Sequence, residues 1–274
     1  MILVDYHMHS NVSHDGVGTI AEHVRAAEER GLAEICFTEH LDFYPSPDGL
    51  SCTTLPTEAR LLAYLEEMRE AQQHSHIVVR AGLEVDYKPE AGRWVRDVLS
   101  HFEFDFLLGS VHNVGTWPVS GPPEMAQAYF RERGAEQGCL DYLEIVERAV
   151  ATDLFDSVAH LDLMKRFQPV NGELMKRGRL RDQIVAILDM MAANGTGIEV
   201  NAAGLVHDPR EAYPSLYILK LARERGVQLL TVGSDSHRPE TVGRNLDAAL
   251  SLARQAGFTR LYTFEQRAPS PHAL

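Results

Sequence analysis

Short apolar segments alternate with stretches of helical spacing along almost the whole chain, and this alternation restricts the fold more than any other feature. The predicted strands are residues 2–4, 34–38, 77–84, 104–108, 155–160, 197–201 and 228–232, with a closing strand at 260–264. The predicted helices are residues 20–30, 56–74, 125–134, 140–152, 181–194, 215–225 and 245–257. Repeated strand–helix units imply parallel strands joined by right-handed crossovers. About seven such units, without a glycine-rich dinucleotide fingerprint, favour a barrel over an open sheet.

The length and composition of the chain fit one globular domain. At 274 residues, 45% hydrophobic and 24% charged, the chain is large enough for a single α/β barrel. No linker, low-complexity segment or repeat divides it into parts. We therefore predict one domain over residues 1–274, with a short tail from about 265 to 274. Two proline-rich segments, residues 45–56 and 117–123, are predicted insertions at the rim of the barrel.

The net charge limits the classes of partner. A formal charge of −13 argues against a phosphate backbone as the main ligand, because such binding depends on Lys and Arg. Bound cations would neutralise part of this charge. No stretch approaches the roughly 18 apolar residues of a membrane span, and the first residues lack a basic region followed by an apolar core. We expect a cytoplasmic protein without a membrane partner.

Imidazoles and carboxylates follow the predicted strands at their carboxyl ends. His7 and His9 alternate after the first apolar run, which places them on one face of an extended segment, about 6.6 Å apart. Further members of this set follow the same pattern: Asp5, His40, Glu84, His112, His160, Asp235 and His237. Any single histidine among them could be a hydrogen-bonded structural residue, but their recurrence at the strand ends favours one shared site. Neutral imidazoles and carboxylates are ligands of divalent transition metals, so a metal site is predicted.

The motifs at these positions resemble those of the polymerase and histidinol phosphatase (PHP) family. They are Asp5-x-His7-x-His9, Thr38-Glu39-His40, Gly82-x-Glu84, His112, His160-x-Asp162 and Asp235-x-His237, spread over nearly the whole chain. Within that family the chain resembles the histidinol-phosphate phosphatase branch, through residues 109–112, 159–163, 199–201 and 233–240. The resemblance implies a distorted (β/α)7 TIM-like barrel and a cluster of two or three divalent metal ions (Zn, Mn or Fe).

The resemblance also implies a set of metal ligands. The ligands expected for three ions are, in turn, His7, His9, Glu84 and Asp235; Glu84, His112 and His160; and Asp15, His40 and His237. Glu84 would bridge the first two ions. In the third group Asp15 is the choice from the first loop, and His14 is the reserve. Asp5 and Asp162 are expected behind the ligands, where Asp5 would accept a hydrogen bond from a histidine.

The implied reaction is hydrolysis of a phosphate monoester. L-histidinol phosphate would be the substrate, giving L-histidinol and phosphate in histidine biosynthesis. A metal-activated hydroxide would attack phosphorus in line, without a covalent enzyme intermediate. Arg166 is the predicted cation that neutralises the transferring group, with Lys165 next, although both fit solvated loop residues equally well. The residues expected to act in catalysis are Glu84, Asp235, His237 and Arg166.

Other contacts to the substrate are predicted from the polar groups near the strand ends. A cationic amine on the substrate suits an acidic rim, for which the candidates are Glu39, Asp42, Glu199 and Asn201. Glu199 fits a core-facing strand position equally well. The proton donor to the leaving alcohol stays open between Asp162, Asp235 and His207.

Two other functions stay open at this level. A phosphoesterase of this family that cleaves nucleotides or short oligonucleotides is one, but the negative chain and the lack of a basic stripe argue against nucleic acid. A non-catalytic metal-binding or regulatory module is the other. Such a module is expected to have lost ligands, whereas every position is filled here apart from the choice between His14 and Asp15.

Overall fold

The structure is a computed structural model that describes residues 2–46, 49–52, 55, 57–167 and 173–274. Its strands are β1 (Val4–Asp5), β2 (Glu34–Leu41), β3 (Phe43–Ser46), β4 (Gly49–Cys52), β5 (Val78–Asp86), β6 (Phe106–Ser110), β7 (Asn113–Val114), β8 (Trp117–Pro118), β9 (Ser157–Val158), β10 (Gly197–Asn201), β11 (Leu230–Gly233), β12 (Arg260–Glu265) and β13 (Ala268–Ala273). Its helices are α1 (Ile20–Glu29), α2 (Glu58–His74), α3 (Gly92–His101), α4 (Pro123–Arg133), α5 (Ala135–Val150), α6 (Gly178–Asn194), α7 (Leu216–Glu224) and α8 (Leu246–Gln255).

Seven parallel strands form the central sheet, in the order β1-β2-β5-β6-β9-β10-β11. Backbone hydrogen bonds between the first and last of these strands close the sheet. The amide of Tyr6 donates to the carbonyl of Val232 at 2.9 Å, and the amide of Asp235 donates to the carbonyl of His7 at 2.8 Å. The predicted seven-stranded α/β barrel is therefore confirmed. The carboxyl ends of its strands meet at one face, where the polar groups of the motifs lie.

Local signals explain where several helices begin and end. The Thr19 hydroxyl accepts a hydrogen bond from the Glu22 amide at 3.2 Å, and the Glu22 carboxylate accepts one from the Thr19 amide at 2.7 Å. This capping box starts α1. Helix α6 ends at Gly195, whose φ of +77° is the left-handed conformation that glycine adopts readily. Helix α3 was not predicted: it starts at Gly92 and no side chain caps it, so the usual start signal is missing from the sequence.

The last two strands close the amino-terminal end of the barrel. The predicted closing strand is β12, but it pairs antiparallel with β13 and lies outside the seven-stranded sheet. Residues 268–273, expected as part of a tail, are therefore a strand. Phe264 packs on Phe106 at 4.8 Å between ring centroids, and its amide donates to the Tyr6 hydroxyl at 2.7 Å. The hairpin thus covers the floor of the barrel and leaves the opposite face for the site.

Short hairpins lie at the rim, where the proline-rich segments were predicted. Strands β3 and β4 pair antiparallel within the first segment, and residues 47, 48, 53, 54 and 56 of that prediction lie outside the described residues. Strands β7 and β8 pair at the start of the second segment. No helix among the described residues is long and apolar enough to cross a membrane.

Candidate metal centre and active site

Glu84 lies at the centre of the polar cluster, near the carboxyl end of β5, and is only 1% exposed. Its Oε1 atom lies 2.9 Å from His160 Nε2 and 3.3 Å from His112 Nε2. Its Oε2 atom lies 3.4 Å from His7 Nε2 and 3.5 Å from His9 Nε2. One carboxylate therefore contacts a different pair of imidazoles through each oxygen, and its Oε2 atom also lies 3.0 Å from His40 Nδ1.

Asp235 completes the group around the amino-terminal histidines. Its Oδ1 atom lies 3.6 Å from His7 Nε2 and 3.7 Å from His9 Nε2. Burial would raise the pKa of Asp235, but the imidazoles of His7, His237 and His9 outweigh burial and hold that pKa well below its usual range. Asp235 is therefore ionised and faces the same point as the carboxylate of Glu84.

Asp15 reaches the cluster from the first loop. Its Oδ1 atom lies 3.5 Å from His40 Nε2, and its Oδ2 atom lies 3.2 Å from His237 Nε2. His14, the reserve for this position, instead has its Nδ1 atom 3.7 Å from Asp42. The geometry thus groups Asp15, rather than His14, with the two histidines.

The chemistry of these donors fits divalent metal ions. The Nε2 atoms of His7 and His9 are buried and form no hydrogen bond among the described residues. Burial, and then the neighbouring imidazoles of His40 and His237, hold the pKa of His9 well below its usual range. Burial alone would also lower the pKa values of His7, His40 and His237, but the neighbouring carboxylates outweigh burial and raise them, so a bound cation would displace these protons. Neutral imidazoles and ionised carboxylates are the forms that bind metals. The groups whose ligand atoms lie within 4.8 Å of one another include His7, His9 and Glu84; His7, His160 and Asp235; Glu84, His112 and His160; and His9, His40 and His237.

Glu199, in the middle of β10, orients His7. Its Oε1 atom lies 2.6 Å from His7 Nδ1, which leaves Nε2 of the same ring pointing at the cluster. Asp5 was predicted to orient a histidine, and this prediction is wrong. Its carboxylate accepts hydrogen bonds from the amide and hydroxyl of Ser234 at 2.8 and 2.5 Å and from the Gly243 amide at 2.8 Å. Asp5 therefore fixes the loop that carries Asp235, rather than an imidazole.

Lys165 and Asp162 bind each other beside the cluster. Lys165 Nζ donates to Asp162 Oδ2 at 3.0 Å, to Glu211 Oε2 at 3.0 Å and to the Ala212 carbonyl at 2.7 Å. These three bonds use all the donors of the ammonium group. The amide of Ser215 also donates to Asp162 Oδ2 at 3.0 Å. Neither residue contacts a clustered histidine, so the expected positions of Asp162 behind a ligand and of Lys165 on the substrate are not supported.

Two more predicted substrate contacts, Glu39 and Asn201, are fully buried. Within the part of the chain that the structure describes, Glu39 accepts hydrogen bonds only from residues of the first loop. Asn201 Nδ2 donates to Asp235 Oδ2 at 3.1 Å, and its Oδ1 atom accepts from the Ala203 amide at 3.0 Å. Both side chains therefore hold the loops around the cluster and do not reach the space above it.

A cavity of about 460 Å³ opens above the cluster. Its wall includes Asp42 and Arg166 from the predicted set, and Asn113, Ser120 and Pro122 from the segment that contains β7 and β8. Ser120 and Pro122 belong to the segment predicted at the rim of the barrel, but no pattern in the sequence indicated that they, or Asn113, line the site. Arg166 also lines an adjoining cavity of about 780 Å³.

His207, one of the candidate proton donors, lies beside this region. Its Nδ1 atom is 3.3 Å from the Tyr213 hydroxyl. Burial, and then the neighbouring charge of Arg166, lower the pKa of His207 to about 4. His207 is therefore neutral at pH 7 and a poor general acid there.

The barrel and its convergent histidines and carboxylates define a class of metal-binding α/β barrel proteins. The model of the PHP domain family matches residues 5–203. The chain therefore belongs to the PHP family.

Relatives with histidinol-phosphatase names match almost the full length of the chain. A probable histidinol-phosphatase of Deinococcus radiodurans is 33% identical over 98% of this chain and 99% of its own. The histidinol-phosphatase of Lactococcus lactis is 29% identical over 95% of this chain and 94% of its own. A crystal structure of the Lactococcus lactis histidinol phosphate phosphatase, in complex with zinc, L-histidinol and phosphate, superposes with a TM-score of 0.82 at 27% identity. It covers 97% of this chain and 98% of that one.

Proposed function

We propose that the protein is a metal-dependent phosphomonoesterase that hydrolyses L-histidinol phosphate to L-histidinol and phosphate. The observation that carries this proposal is the contact of Glu84 with two pairs of imidazoles beneath a cavity whose wall includes Arg166. The relatives named above support the choice of substrate, since one of them binds L-histidinol and phosphate. A cytoplasmic location stays a prediction.

Three sets of residues are proposed as metal ligands. They are His7, His9, Glu84 and Asp235; Glu84, His112 and His160; and Asp15, His40 and His237. We propose two or three ions of Zn, Mn or Fe, because histidine and carboxylate ligands discriminate little among these metals. When bound, such ions lower the pKa of coordinated water to about 7 and neutralise charge on a phosphoryl group.

Arg166 is the residue proposed to bind the phosphoryl oxygens. Its guanidinium lies 4.9 Å from the ring of Phe167, a contact that restricts its position. No carboxylate among the described residues forms an ion pair with Arg166, so its donors are available for an anion. A guanidinium matches two phosphate oxygens at once and is charged at every relevant pH. Arg166 would therefore stabilise the charge that builds up on the transferring group.

Asp42 is the acidic residue proposed to meet the cationic end of the substrate. It lines the same cavity as Arg166. Burial would raise the pKa of Asp42, but the imidazoles of His40 and His112 outweigh burial and lower it. A carboxylate that stays ionised is suited to an ammonium or imidazolium group. The net charge of −13 also favours a substrate with cationic groups over a nucleic acid.

The proposal is tested with a panel of phosphate esters on freshly metallated protein. The panel contains L-histidinol phosphate and several nucleoside monophosphates, each tested with Zn²⁺, Mn²⁺ and Fe²⁺, and released phosphate is measured. We expect kcat/KM for L-histidinol phosphate to exceed that for the nucleotides by at least about 100-fold, because the site has to bind a cationic leaving group. Equal turnover of nucleotides would favour the nucleotide-cleaving alternative. Absence of turnover on every ester would favour the non-catalytic module.

A further inference from the structure

A single buried carboxylate fastens the first loop, residues 10–16, to the end of β2. The Oε1 atom of Glu39 accepts hydrogen bonds from the amide and hydroxyl of Ser10, at 3.0 and 2.6 Å. Its Oε2 atom accepts hydrogen bonds from the amide and hydroxyl of Ser13, at 3.1 and 2.5 Å. Each oxygen thus holds one serine, and the loop is fixed at two points three residues apart.

The second of these serines also connects the loop to the clustered histidines. The amide of His40 donates to the Ser13 hydroxyl at 2.9 Å, and the same hydroxyl lies 3.4 Å from His9 Nδ1. Ser13 therefore sits between two of the histidines, and its position depends on Glu39. The carboxylate of Glu39 itself has 0% exposure and is not part of the cavity wall.

Asp15 follows this fixed point by two residues and depends on it for its position. Its side chain is 44% exposed, unlike the buried carboxylates of Glu84 and Glu39. An exposed side chain on an unrestrained loop would lose conformational entropy when it binds an ion, and this loss would weaken binding. A loop that is already ordered reduces this cost, because the ligand is held near its bound position.

We propose that Glu39 is a positioning residue that raises the affinity of one metal ion, by holding the first loop so that Asp15 reaches His40 and His237. The inference rests on the proposed function, in which these three residues bind one ion. Glu39 does not contact the ion or the substrate. Its effect is therefore largest at the position that Asp15 completes, because, among the described residues, the only link to the other ions is the long 3.4 Å contact between the Ser13 hydroxyl and His9 Nδ1.

The test compares two glutamates of the same strand. In Glu39→Gln one carboxylate oxygen is replaced by an NH2 group, which donates hydrogen bonds and cannot accept them from a serine. The four hydrogen bonds therefore cannot all be kept. Glu34→Gln is the matched control: Glu34 is also buried on β2 but bonds the Tyr6 hydroxyl at 2.5 Å and Arg80 Nε at 3.1 Å, at the floor of the barrel. Holoprotein is dialysed against buffers of graded free Zn²⁺, and bound zinc is counted by elemental analysis.

We expect Glu39→Gln to raise the Kd of one ion by about 10- to 100-fold. This is the usual effect of losing a residue that holds a metal ligand in position without contacting the metal. The remaining ions should keep their affinities within about twofold, and Glu34→Gln should bind zinc as the wild-type protein does. Equal weakening of every ion, or an unchanged set of affinities, would overturn the inference. If Glu39→Gln does not fold, Ser13→Ala tests the same contact, and unchanged zinc binding in that variant would also overturn it.

A double variant separates this inference from the proposed ligand set. Asp15→Ala should lose the same ion, and Asp15→Ala combined with Glu39→Gln should bind zinc nearly as Asp15→Ala alone does, because Glu39 acts mainly through Asp15. Further loss of zinc in the double variant would contradict the positioning role. If Asp15→Ala loses no ion, it is the proposed ligand set that fails.

Discussion

Replacement of Glu84 with Gln tests the centre of the site most directly. The change keeps the volume of the side chain but removes its charge, and each of its two oxygens faces a different pair of imidazoles. Loss of a residue that hydrogen-bonds a metal ligand weakens metal binding by about 10- to 100-fold. Loss of the ligand itself should weaken metal binding at least as strongly. Because Glu84 is proposed to bind two ions, the product of their affinities should fall by about 10²- to 10⁴-fold, or roughly 3 to 5.5 kcal/mol.

The assay measures bound metal and released phosphate on the same preparation. Glu84→Gln should retain fewer than half of the ions of the wild-type protein after dialysis at low free Zn²⁺, and its phosphatase activity should fall in parallel. Glu34→Gln, another buried glutamate, controls for nonspecific loss of stability. Full occupancy in Glu84→Gln would refute the bridging role, and a loss of only one ion would assign Glu84 to a single position.

Three further predictions concern the surroundings of the cluster. Arg166→Ala should lower kcat/KM by about 100-fold, the cost of removing one charge-stabilising donor, with metal content unchanged by elemental analysis; unchanged kinetics would make Arg166 a surface residue. Because the pKa of His207 is lowered from 6.5 to about 4, the unfolded chain binds a proton that the folded protein excludes, and stability falls as the pH drops through this window. His207→Gln should flatten that decline in thermal melts of the metal-free protein, and an equally steep curve would argue against it. Tyr6→Phe leaves the Phe264 amide without its acceptor and leaves Glu34 with Arg80 as its remaining partner, so the free energy of unfolding in urea should fall by about 1–3 kcal/mol while activity is retained.

The sequence predicted the barrel and the convergence of the motif residues because both follow from local patterns. Each strand is an apolar run, and the polar residue that ends it must lie at the carboxyl edge of a parallel sheet. His112 and His160 are therefore brought to Glu84 by the order of β5, β6 and β9 alone. No knowledge of individual contacts was needed for that step.

Contacts among the buried carboxylates could not be predicted in the same way. Asp5 and Glu199 are both buried on central strands, and only the twist and closure of the barrel decide which of them faces His7 Nδ1. Lys165 was expected to be either solvated or on the substrate, but Glu211, 46 residues later in the chain, folds back to bind it. Such pairings depend on loop paths, which no periodic pattern in the sequence encodes.

The hydrogen bond between Tyr6 and Phe264 joins residues 258 positions apart. Closing a loop of that length costs conformational entropy before any contact compensates for it, so this end of the molecule should assemble late in folding. During synthesis, Phe106 can pack against Tyr6 early, but its contact with Phe264 forms only after residue 264 has left the ribosome. A nascent chain arrested shortly before that residue should therefore expose an unsealed barrel base to proteases and chaperones.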